Sequence, residues 1–487
     1  MSDRSRRQFL EDSMFAAAAA FAASAGAGSS LFAAEKSEST SPNEKLSVAV
    51  VGVRGRGASH TGAFSTRKDT EITYIVDVDS EAAEKSAEGV AKKQGRKPKI
   101  VKDMREAFED KSLDIVSTAT PNHWHALTAI WAMQAGKDVY VEKPVSHNVS
   151  EGRRMVEVAR KYNKICQTGT QSRSNSGMRE AIAALHKGLV GDVTVARGLC
   201  YKSRNSIGPK GEYQPPASVD YNLWCGPAPM DKLTRPKLHY DWHWVWSTGN
   251  GDLGNQGIHQ MDLARWGLGV NTLCNAVLSY GGRFGYEDAG ETANTQVVVC
   301  DYGPQTLVFE VRGLKTDANK GAKVGVIWEG TKGYLVMGSY EAGIAFDKDG
   351  KEIAKFSGGG DHFGNFVDAV RSRKVSDLHA DIEEGHLSSA LCHLGNISYR
   401  LGSQVGLSEA TEKLKSVKCT DNVADTFDRT RQHLLDNKVD LEKVNLQFGQ
   451  WLAFDPKNEK FRDSSAADQQ LTRPYRAPFV VPTADKI

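Results

Sequence analysis

A strand, a glycine-rich loop, a helix and a second strand follow one another near residue 50 of this 487-residue chain. The apolar, β-branched run Leu46–Val51 is typical of a buried parallel strand. It leads directly into Gly-Val-Arg-Gly-Arg-Gly, residues 52–57. Glycines let the backbone turn sharply and approach a pyrophosphate, and the N-terminal amides of the next helix favour the phosphate charge. The stretch therefore predicts a dinucleotide-binding βαβ unit.

Asp77 directly follows the second strand-like run, Ile72–Val76. An acid at this place accepts hydrogen bonds from the hydroxyls of an adenosine ribose. Its charge would repel a 2′-phosphate, which favours NAD over NADP, although Arg54 and Arg56 could oppose that preference. The glycine spacing is G-x-x-G-x-G rather than G-x-G-x-x-G, so the loop alone could be an ordinary turn. The prediction of dinucleotide binding therefore rests on the strand, the loop, the helix and Asp77 taken together.

Charge and cysteine usage exclude several classes of protein. The 62 basic and 60 acidic residues are nearly balanced and form no long block of one sign. This pattern argues against nucleic-acid binding and against a polybasic membrane patch. The seven cysteines are scattered without a C-x-x-C pair, which argues against a disulfide framework.

The N-terminus has the features of a targeting segment. Ser5–Leu10 contains a twin-arginine pair, and the alanine-rich run Met14–Ala27 is too short and too weakly apolar to span a bilayer. We predict a twin-arginine signal peptide over residues 1–34 and a linker over residues 35–45. The protein is then expected to meet the twin-arginine export machinery and to reach the periplasm. An uncleaved anchor or a disordered tail is the alternative.

The remaining chain divides by its pattern of elements. Strands and helices alternate over residues 46–170, which predicts an α/β, doubly wound parallel sheet. Over residues 171–405 strands follow one another, which predicts an α+β domain with a largely antiparallel open sheet. Residues 406–487 are polar and irregular apart from amphipathic patches, and we predict an appendage of unassigned role. Pro121–His125 is predicted to be a turn before a helix.

Two segments carry candidate acid/base residues. Lys143 follows the strand Asp138–Val141 and should lie at the carboxyl edge of the parallel sheet, where it could hydrogen-bond a substrate hydroxyl. The alternative is a solvated lysine at a strand end. His259 is three residues before Asp262, so on a helix the acid could orient the imidazole. The alternative there is a core histidine, with Asn255 as a helix cap.

Other histidines and aromatic residues give weaker signals. His123 and His125 follow a strand and border the same crevice, and we expect one of them to be structural. Trp242 and Trp244 belong to an aromatic cluster that could stack on a sugar or form plain core. No metal site is predicted, because the spacing of His239, His243 and His259 does not support one. Four further residues are weak pocket candidates: Arg204, Trp224, His362 and His386.

Four motifs together resemble the Gfo/Idh/MocA oxidoreductase family. They are the Gly52–Gly57 loop with Asp77, the Thr120–His123 tetrapeptide, the Ala135–Pro144 segment with its Glu-Lys-Pro, and Gly257–Asp262. The resemblance implies an NAD-binding Rossmann domain, an open-sheet C-terminal domain, and a homo-oligomer, either dimer or tetramer. It also implies that Lys143 and His259 form the acid/base pair.

The residues expected to contact ligands follow from these motifs. The expected cofactor-binding residues are Gly52, Arg54, Gly55, Arg56, Gly57, Asp77, Thr120, Pro121, Asn122, His123, Glu142 and Lys143. The expected substrate-binding residues are Asn255, Asp262, Trp242 and Trp244.

Asn255 departs from the family pattern, which often has an aspartate four residues before the histidine. An amide can orient a hydroxyl but cannot take its proton. From the motifs we predict an NAD-dependent oxidoreductase acting on a sugar or polyol, with its cofactor retained and recycled, and two alternatives stay open, the first of them favoured by Asn255. One is a glycoside-cleaving hydrolase or lyase that oxidises its substrate transiently with recycled NAD. The other is a non-catalytic carbohydrate-binding protein.

Overall fold

The computed structural model describes residues 44–487. The predicted signal peptide and most of the predicted linker lie outside the described residues. Within the described part, no helix combines the length and the apolar character needed to cross a membrane.

The first domain is built on a six-stranded parallel sheet with the order β3-β2-β1-β4-β5-β6. The strand order reverses between β1 and β4, so a crevice opens at the carboxyl ends of these strands. This doubly wound sheet is the one predicted. Its strands are β1 (Leu46–Val51), β2 (Thr70–Val76), β3 (Lys99–Val101), β4 (Ile115–Thr118), β5 (Asp138–Val141) and β6 (Cys166–Thr168).

Helices cover both faces of this sheet. They are α1 (Arg56–Thr66), α2 (Ser80–Gln94), α3 (Met104–Phe108), α4 (Asn122–Gln134) and α5 (Val149–Lys161). Asp79 caps α2 by accepting from the amides of Glu81 and Ala82.

The turn predicted at Pro121–His125 is wrong, because α4 already begins at Asn122. Proline suits the position before a first helical turn, since it lacks the amide that would go unpaired there.

The second domain contains a twelve-stranded, mostly antiparallel sheet. Its main path runs β14-β13-β12-β11-β7-β10-β9-β8-β16-β15, in which β15 is Ser403–Val405 and β16 is Leu446–Phe448, and the pair β7–β10 is parallel. Strands β7 to β14 are Val193–Tyr201, Ala276–Gly282, Thr295–Asp301, Thr306–Arg312, Val324–Gly330, Gly333–Met337, Ala342–Asp347 and Glu352–Ser357. The helices are α6 (Ser176–His186), α7 (Tyr221–Cys225), α8 (Gly251–Asn255), α9 (Gly257–Leu268), α10 (His362–Ser372) and α11 (Ile382–Arg400). One face of the sheet packs with α9 and α11 into the largest apolar core.

The C-terminal region is not an irregular appendage but part of both domains. It contributes β16 (Leu446–Phe448), β17 (Leu452–Asp455), β18 (Lys460–Phe461), α12 (Leu407–Leu414), α13 (Val423–Asp436) and α14 (Ser465–Gln469). Strand β16 extends the large sheet by pairing with β8 and β15. Helix α13 docks on the second face of the large sheet, where the buried carboxylate of Glu310 bonds Arg197 and Arg429 at 2.9 Å each. The polar composition of this region led to the prediction of an appendage, because the contacts that dock α13 on the sheet are ionic as well as apolar.

Candidate functional site

A cavity of about 790 Å³ lies where the carboxyl ends of β1, β2, β4 and β5 meet the second domain. The first domain contributes the glycine loop, Asp77 and the segments after β4 and β5. The second domain contributes the start of α9, the β12–β13 turn and the long segment between β7 and α8. We call that segment, residues 202–250, the strap. The cavity therefore forms where the first domain packs against the second domain and its strap.

Two of the three loop glycines, Gly52 and Gly57, are packed so tightly that a side chain would not fit. Gly52 has φ +78°, and a Cβ there would approach the amide of Thr120 to 2.9 Å. A Cβ on Gly57 would lie 1.9 Å from the carbonyl oxygen of Gly52. Helix α1 follows without a side-chain cap and without an acid in its first turn. Its N-terminus thus faces the cavity with its positive dipole end uncompensated, as an anionic pyrophosphate requires.

Asp77 lies at the end of β2 and lines the cavity. Its two carboxylate oxygens accept from the amides of Val53 and Asp79, each at 2.9 Å. Burial raises the pKa of Asp77, although these amides oppose the shift. Each oxygen retains acceptor capacity for a ribose hydroxyl.

The two loop arginines are already paired with carboxylates. Arg54 donates to Asp79 through Nε at 2.8 Å, and Arg56 Nε donates to Glu142 at 2.7 Å. Neither guanidinium therefore stands as an unpaired cation beside Asp77, where a 2′-phosphate would lie.

The segment after β4 reaches the cavity only in part. Thr120, Pro121 and Asn122 line it, as does His125. His123 does not, because its ring is 1% exposed and lies 2.9 Å from the carbonyl oxygen of Trp224 and 3.3 Å from that of Thr248. Burial lowers the pKa of His123 to about 3. His123 thus joins α4 to the strap instead of contacting a ligand.

Glu142 is a buried carboxylate that organises the wall behind Lys143. One of its oxygens accepts from Arg56 at 2.7 Å, from Gln171 at 3.1 Å and from the ring of His60 at 3.2 Å. Burial alone would raise the pKa of Glu142, but His60, Arg56 and Lys143 outweigh it and hold the pKa well below its usual range. Glu142 is thus a permanent anion that fixes the start of the Lys143 segment.

Lys143 and His259 line the same cavity from opposite domains. Lys143 donates from Nζ to the carbonyl oxygen of Asn255 at 2.9 Å, and its peptide bond to Pro144 is cis. Burial lowers the pKa of Lys143. Burial, and then the nearby Lys143, lower the pKa of His259 to about 3. Among residues 44–487, no protein group hydrogen-bonds the His259 ring, so a neutral imidazole is available as a proton acceptor.

Asn255 and Asp262 occupy different environments. Asn255 lines the cavity, and its side-chain amide lies 3.4 Å from Asp252. Asp262 does not reach the cavity. Its carboxylate is 1% exposed and accepts from Arg173 at 2.8 Å and from Ser388 at 2.7 Å. The expectation that Asp262 orients His259 or contacts substrate is therefore wrong: it shares a helix with His259, but Arg173 and Ser388 saturate its carboxylate.

The two candidate tryptophans also separate. Trp242 lines the cavity and stacks on the ring of His243 at a centroid distance of 3.6 Å. Trp244 is 4% exposed and packs with Ile207 and Ala289, so its expected role in substrate binding is wrong.

His239, His243 and His259 all line the cavity. No group of three or more metal-ligating side chains forms among the described residues.

Of the weak pocket candidates, only Trp224 lines the cavity. His362 and His386 are buried, with ring nitrogens 2.8 Å from the carbonyl oxygen of Thr168 and from Glu459 respectively. Arg204 binds Asp252.

The strap roofs the part of the cavity next to Asp77. It lies across the end of β2, where Ser80 N donates to Ser218 O at 3.0 Å and Asp220 N donates to Val78 O at 2.9 Å. A Cβ on Gly226 would lie 2.1 Å from the Trp124 indole, so strap and α4 are in close contact. A ligand held by Asp77 would consequently be covered.

The C-terminal tail, residues 472–487, holds the strap from outside. Arg476 donates to the side chain and the carbonyl of Asn222 at 2.6 and 2.7 Å, and to the carbonyl of Gly226 at 3.1 Å. Phe479 packs edge-on against Trp124, which itself lines the cavity.

Sequence reasoning missed several cavity residues. Tyr340 projects from the β12–β13 turn, with its ring centroid 5.3 Å from that of His259. Gln171, Ser172 and Asn175 line the cavity from the segment after β6. Tyr340 lies in a turn, Gln171 and Ser172 in a short 3-10 helix and Asn175 at the start of α6, none of which has periodicity or a motif that would distinguish it in the sequence. Tyr240 also lines the cavity, from the aromatic segment that contains Trp242 and Trp244.

Comparison with known proteins covers both domains. Residues 46–170 match the model described as oxidoreductase family, NAD-binding Rossmann fold. Residues 192–434 match the corresponding C-terminal alpha/beta domain. The WlbA dehydrogenase of Bordetella pertussis, solved with NADH and UDP-GlcNAcA, has the same fold at TM-score 0.53 and 19% identity, over 72% of this chain and 95% of that one.

Two curated relatives are similar over shorter stretches. Levoglucosan dehydrogenase of Pseudarthrobacter phenanthrenivorans is 26% identical over 48% of this chain and 54% of its own. Alpha-N-acetylgalactosaminidase of Shewanella oneidensis is 29% identical over 31% of this chain and 34% of its own. The chain thus matches only a third to a half of the length of these relatives. With both of its domains matched, the chain belongs to the Gfo/Idh/MocA oxidoreductase family.

Proposed function

We propose that this protein is an NAD-dependent dehydrogenase of a sugar or polyol, exported with its cofactor retained. The observation that carries the proposal is the meeting of Lys143 and a neutral His259 in a cavity whose other end has a complete dinucleotide cradle. Bound NAD supplies a hydride acceptor at C4 of its nicotinamide ring. The relatives that oxidise or cleave carbohydrates support a sugar as the substrate.

His259 takes the hydroxyl proton of the substrate as the hydride leaves the same carbon. Its ring has no competing protein partner in the described part of the chain. Its pKa of about 3 keeps the ring neutral but makes it a weak base, so the hydrogen bond from Lys143 must also lower the pKa of the substrate hydroxyl. Lys143 donates a hydrogen bond to the substrate oxygen. The backbone carbonyl of Asn255 accepts from the lysine ammonium, and the Glu142 carboxylate accepts from the backbone amide of Lys143.

Asp77 and the paired arginines favour NAD over NADP. A carboxylate beside the ribose repels a 2′-phosphate, and Arg54 and Arg56 are each bound to an acid. The strap and the C-terminal tail cover this end of the cavity and slow nucleotide exchange. Retention suits an exported protein, since the predicted twin-arginine route would carry it folded and loaded to a compartment with little free nucleotide.

The direct test is mass spectrometry of the small molecules released when the native protein is denatured. We expect NAD at close to one per chain, and reduction of the bound nicotinamide when a sugar panel is added. Protein that carries no nucleotide and binds none when NAD is supplied would overturn the proposal. That result would favour the alternative of a non-catalytic carbohydrate-binding protein.

Asn255 favours a second candidate function, transient oxidation followed by glycoside cleavage. The relative named as an alpha-N-acetylgalactosaminidase supports it. Incubation with glycosides would then release the aglycone with no net NADH. Absence of cleavage over a broad glycoside panel, together with stoichiometric nicotinamide reduction, would exclude this candidate in favour of the dehydrogenase.

Replacing Arg476 by alanine should speed nucleotide release. The change removes three hydrogen bonds between the tail and the strap. Hydrogen bonds from charged groups are worth about 1.5–3 kcal/mol, so we expect release to be faster by about tenfold or more. The measurement is loss of bound nucleotide on dilution into buffer without NAD. Arg431→Ala, on the exposed side of α13, is the matched control; equal release rates in both variants would mean that the tail does not hold the cavity closed.

A further inference from the structure

Tyr240 has an unusual backbone and an unusual exposure for a large aromatic residue. Its φ of +66° and ψ of −46° place a bulky side chain in a conformation that L residues rarely adopt. Its side chain is 52% exposed, yet it lines the cavity. Such strain persists only where the surroundings impose it, and it concentrates at functional sites.

The surroundings hold the Tyr240 ring firmly. The ring hydroxyl lies 3.1 Å from Nη1 of Arg204. The backbone carbonyl oxygen of Tyr240 lies 2.5 Å from Nδ1 of His243, which holds the residue itself. Its ring centroid is 4.8 Å from that of His243 and 5.5 Å from that of Trp244. These contacts cover part of the ring, and the rest remains exposed to solvent beside the cavity.

A chain of contacts connects Tyr240 to the catalytic residues. Arg204 binds Asp252 of α8 through two hydrogen bonds, at 2.6 and 2.7 Å. Asp252 contacts the side chain of Asn255, and the backbone carbonyl of Asn255 accepts from Lys143 Nζ. The exposed ring therefore keeps a fixed position relative to Lys143. A surface residue that binds no ligand would not need such positioning.

We propose that Tyr240 binds the part of the substrate that extends out of the cavity, and that the substrate is a glycoside of two or more rings. This inference rests on the proposed function. A sugar presents an apolar C–H face, which packs on an exposed aromatic ring. The ring to be oxidised lies inside, against Lys143 and His259, and the next ring lies on Tyr240.

The test compares Tyr240→Gly with Tyr240→Phe. Glycine removes the ring and also relieves the strained backbone, whereas phenylalanine keeps the ring. The probes are glucose, galactose and N-acetylgalactosamine, with cellobiose, lactose and the phenyl glycosides of the same sugars. For substrates with two rings we expect Tyr240→Gly to raise KM by about tenfold at similar kcat, and Tyr240→Phe to keep KM within about twofold. The rise in KM should be clearly smaller for the free monosaccharides than for the substrates with two rings.

Stability separates this role from a structural one. Because glycine relieves the strain, Tyr240→Gly should melt at or above the wild-type temperature. Trp451→Ala, which removes an exposed aromatic residue that does not line the cavity, controls for surface effects. Equal KM changes for monosaccharides and disaccharides, or a lower melting temperature with unchanged KM, would overturn the proposal.

Failure of the proposed function is a distinct outcome. If no sugar reduces the bound nicotinamide, that function is wrong, and titration of tryptophan fluorescence with the same sugars decides the role of Tyr240. Tighter binding of disaccharides to wild type than to Tyr240→Gly would support the role, and equal binding or none would refute it.

Discussion

Replacing Lys143 by methionine, or His259 by alanine, should lower kcat by about 10²–10⁴ while the protein keeps its bound nucleotide. Methionine preserves the length and apolar contacts of the lysine stem but cannot donate to the substrate oxygen. Alanine removes the only neutral base that we place beside the substrate hydroxyl. Single-turnover reduction of the bound nicotinamide by sugar measures both effects directly.

The double variant provides a sharper criterion. If the two side chains act on the same hydroxyl as a unit, the double variant should be hardly slower than the worse single variant. Lys187→Met and His186→Ala, which change exposed residues at the end of α6, are matched controls and should retain full activity. Unchanged nicotinamide reduction in the double variant would refute the assigned acid/base roles.

The sequence predicted the cofactor end of the cavity better than the substrate end. Gly52, Gly57 and Asp77 lie within one βαβ unit, so local spacing alone determines how they meet. Lys143 follows β5, and the carboxyl ends of parallel strands share one edge of the sheet. Its arrival at the cavity could therefore be predicted before any tertiary contact was known.

Residues outside this unit were harder to place because helical spacing identifies a face but not what packs on it. Asp262 shares a helix with His259, yet Arg173 and Ser388 bind its carboxylate. Trp244 and Trp242 are two positions apart in an irregular segment, and only Trp242 reaches the cavity. The roof formed by the strap and the tail joins segments more than two hundred residues apart, which no local pattern could reveal.

Gly57→Ala should reduce both nucleotide binding and stability. Its Cβ would lie 1.9 Å from the carbonyl oxygen of Gly52, and it is backbone, not a movable side chain, that stands in its way. Helix α1 would have to move away from the loop, which would also displace the amides that face the pyrophosphate. Overpacking typically costs about 1–3 kcal/mol, and we expect at least that loss in the free energy of unfolding. Nucleotide content after purification and urea denaturation measure the two effects.

Gly89→Ala is the matched control, because this glycine lies in α2, where a Cβ would meet no atom of residues 44–487 within 4 Å beyond its own helix backbone and chain neighbours. Alanine there should stabilise the protein by about 0.5–1 kcal/mol and leave nucleotide content unchanged. A Gly57→Ala protein that kept both its stability and its nucleotide would mean that α1 does not approach the loop as closely as the geometry indicates. Loss of nucleotide with little loss of stability would instead confine the effect to the phosphate-binding amides. The two readouts together thus separate the packing role of Gly57 from its role in the dinucleotide cradle.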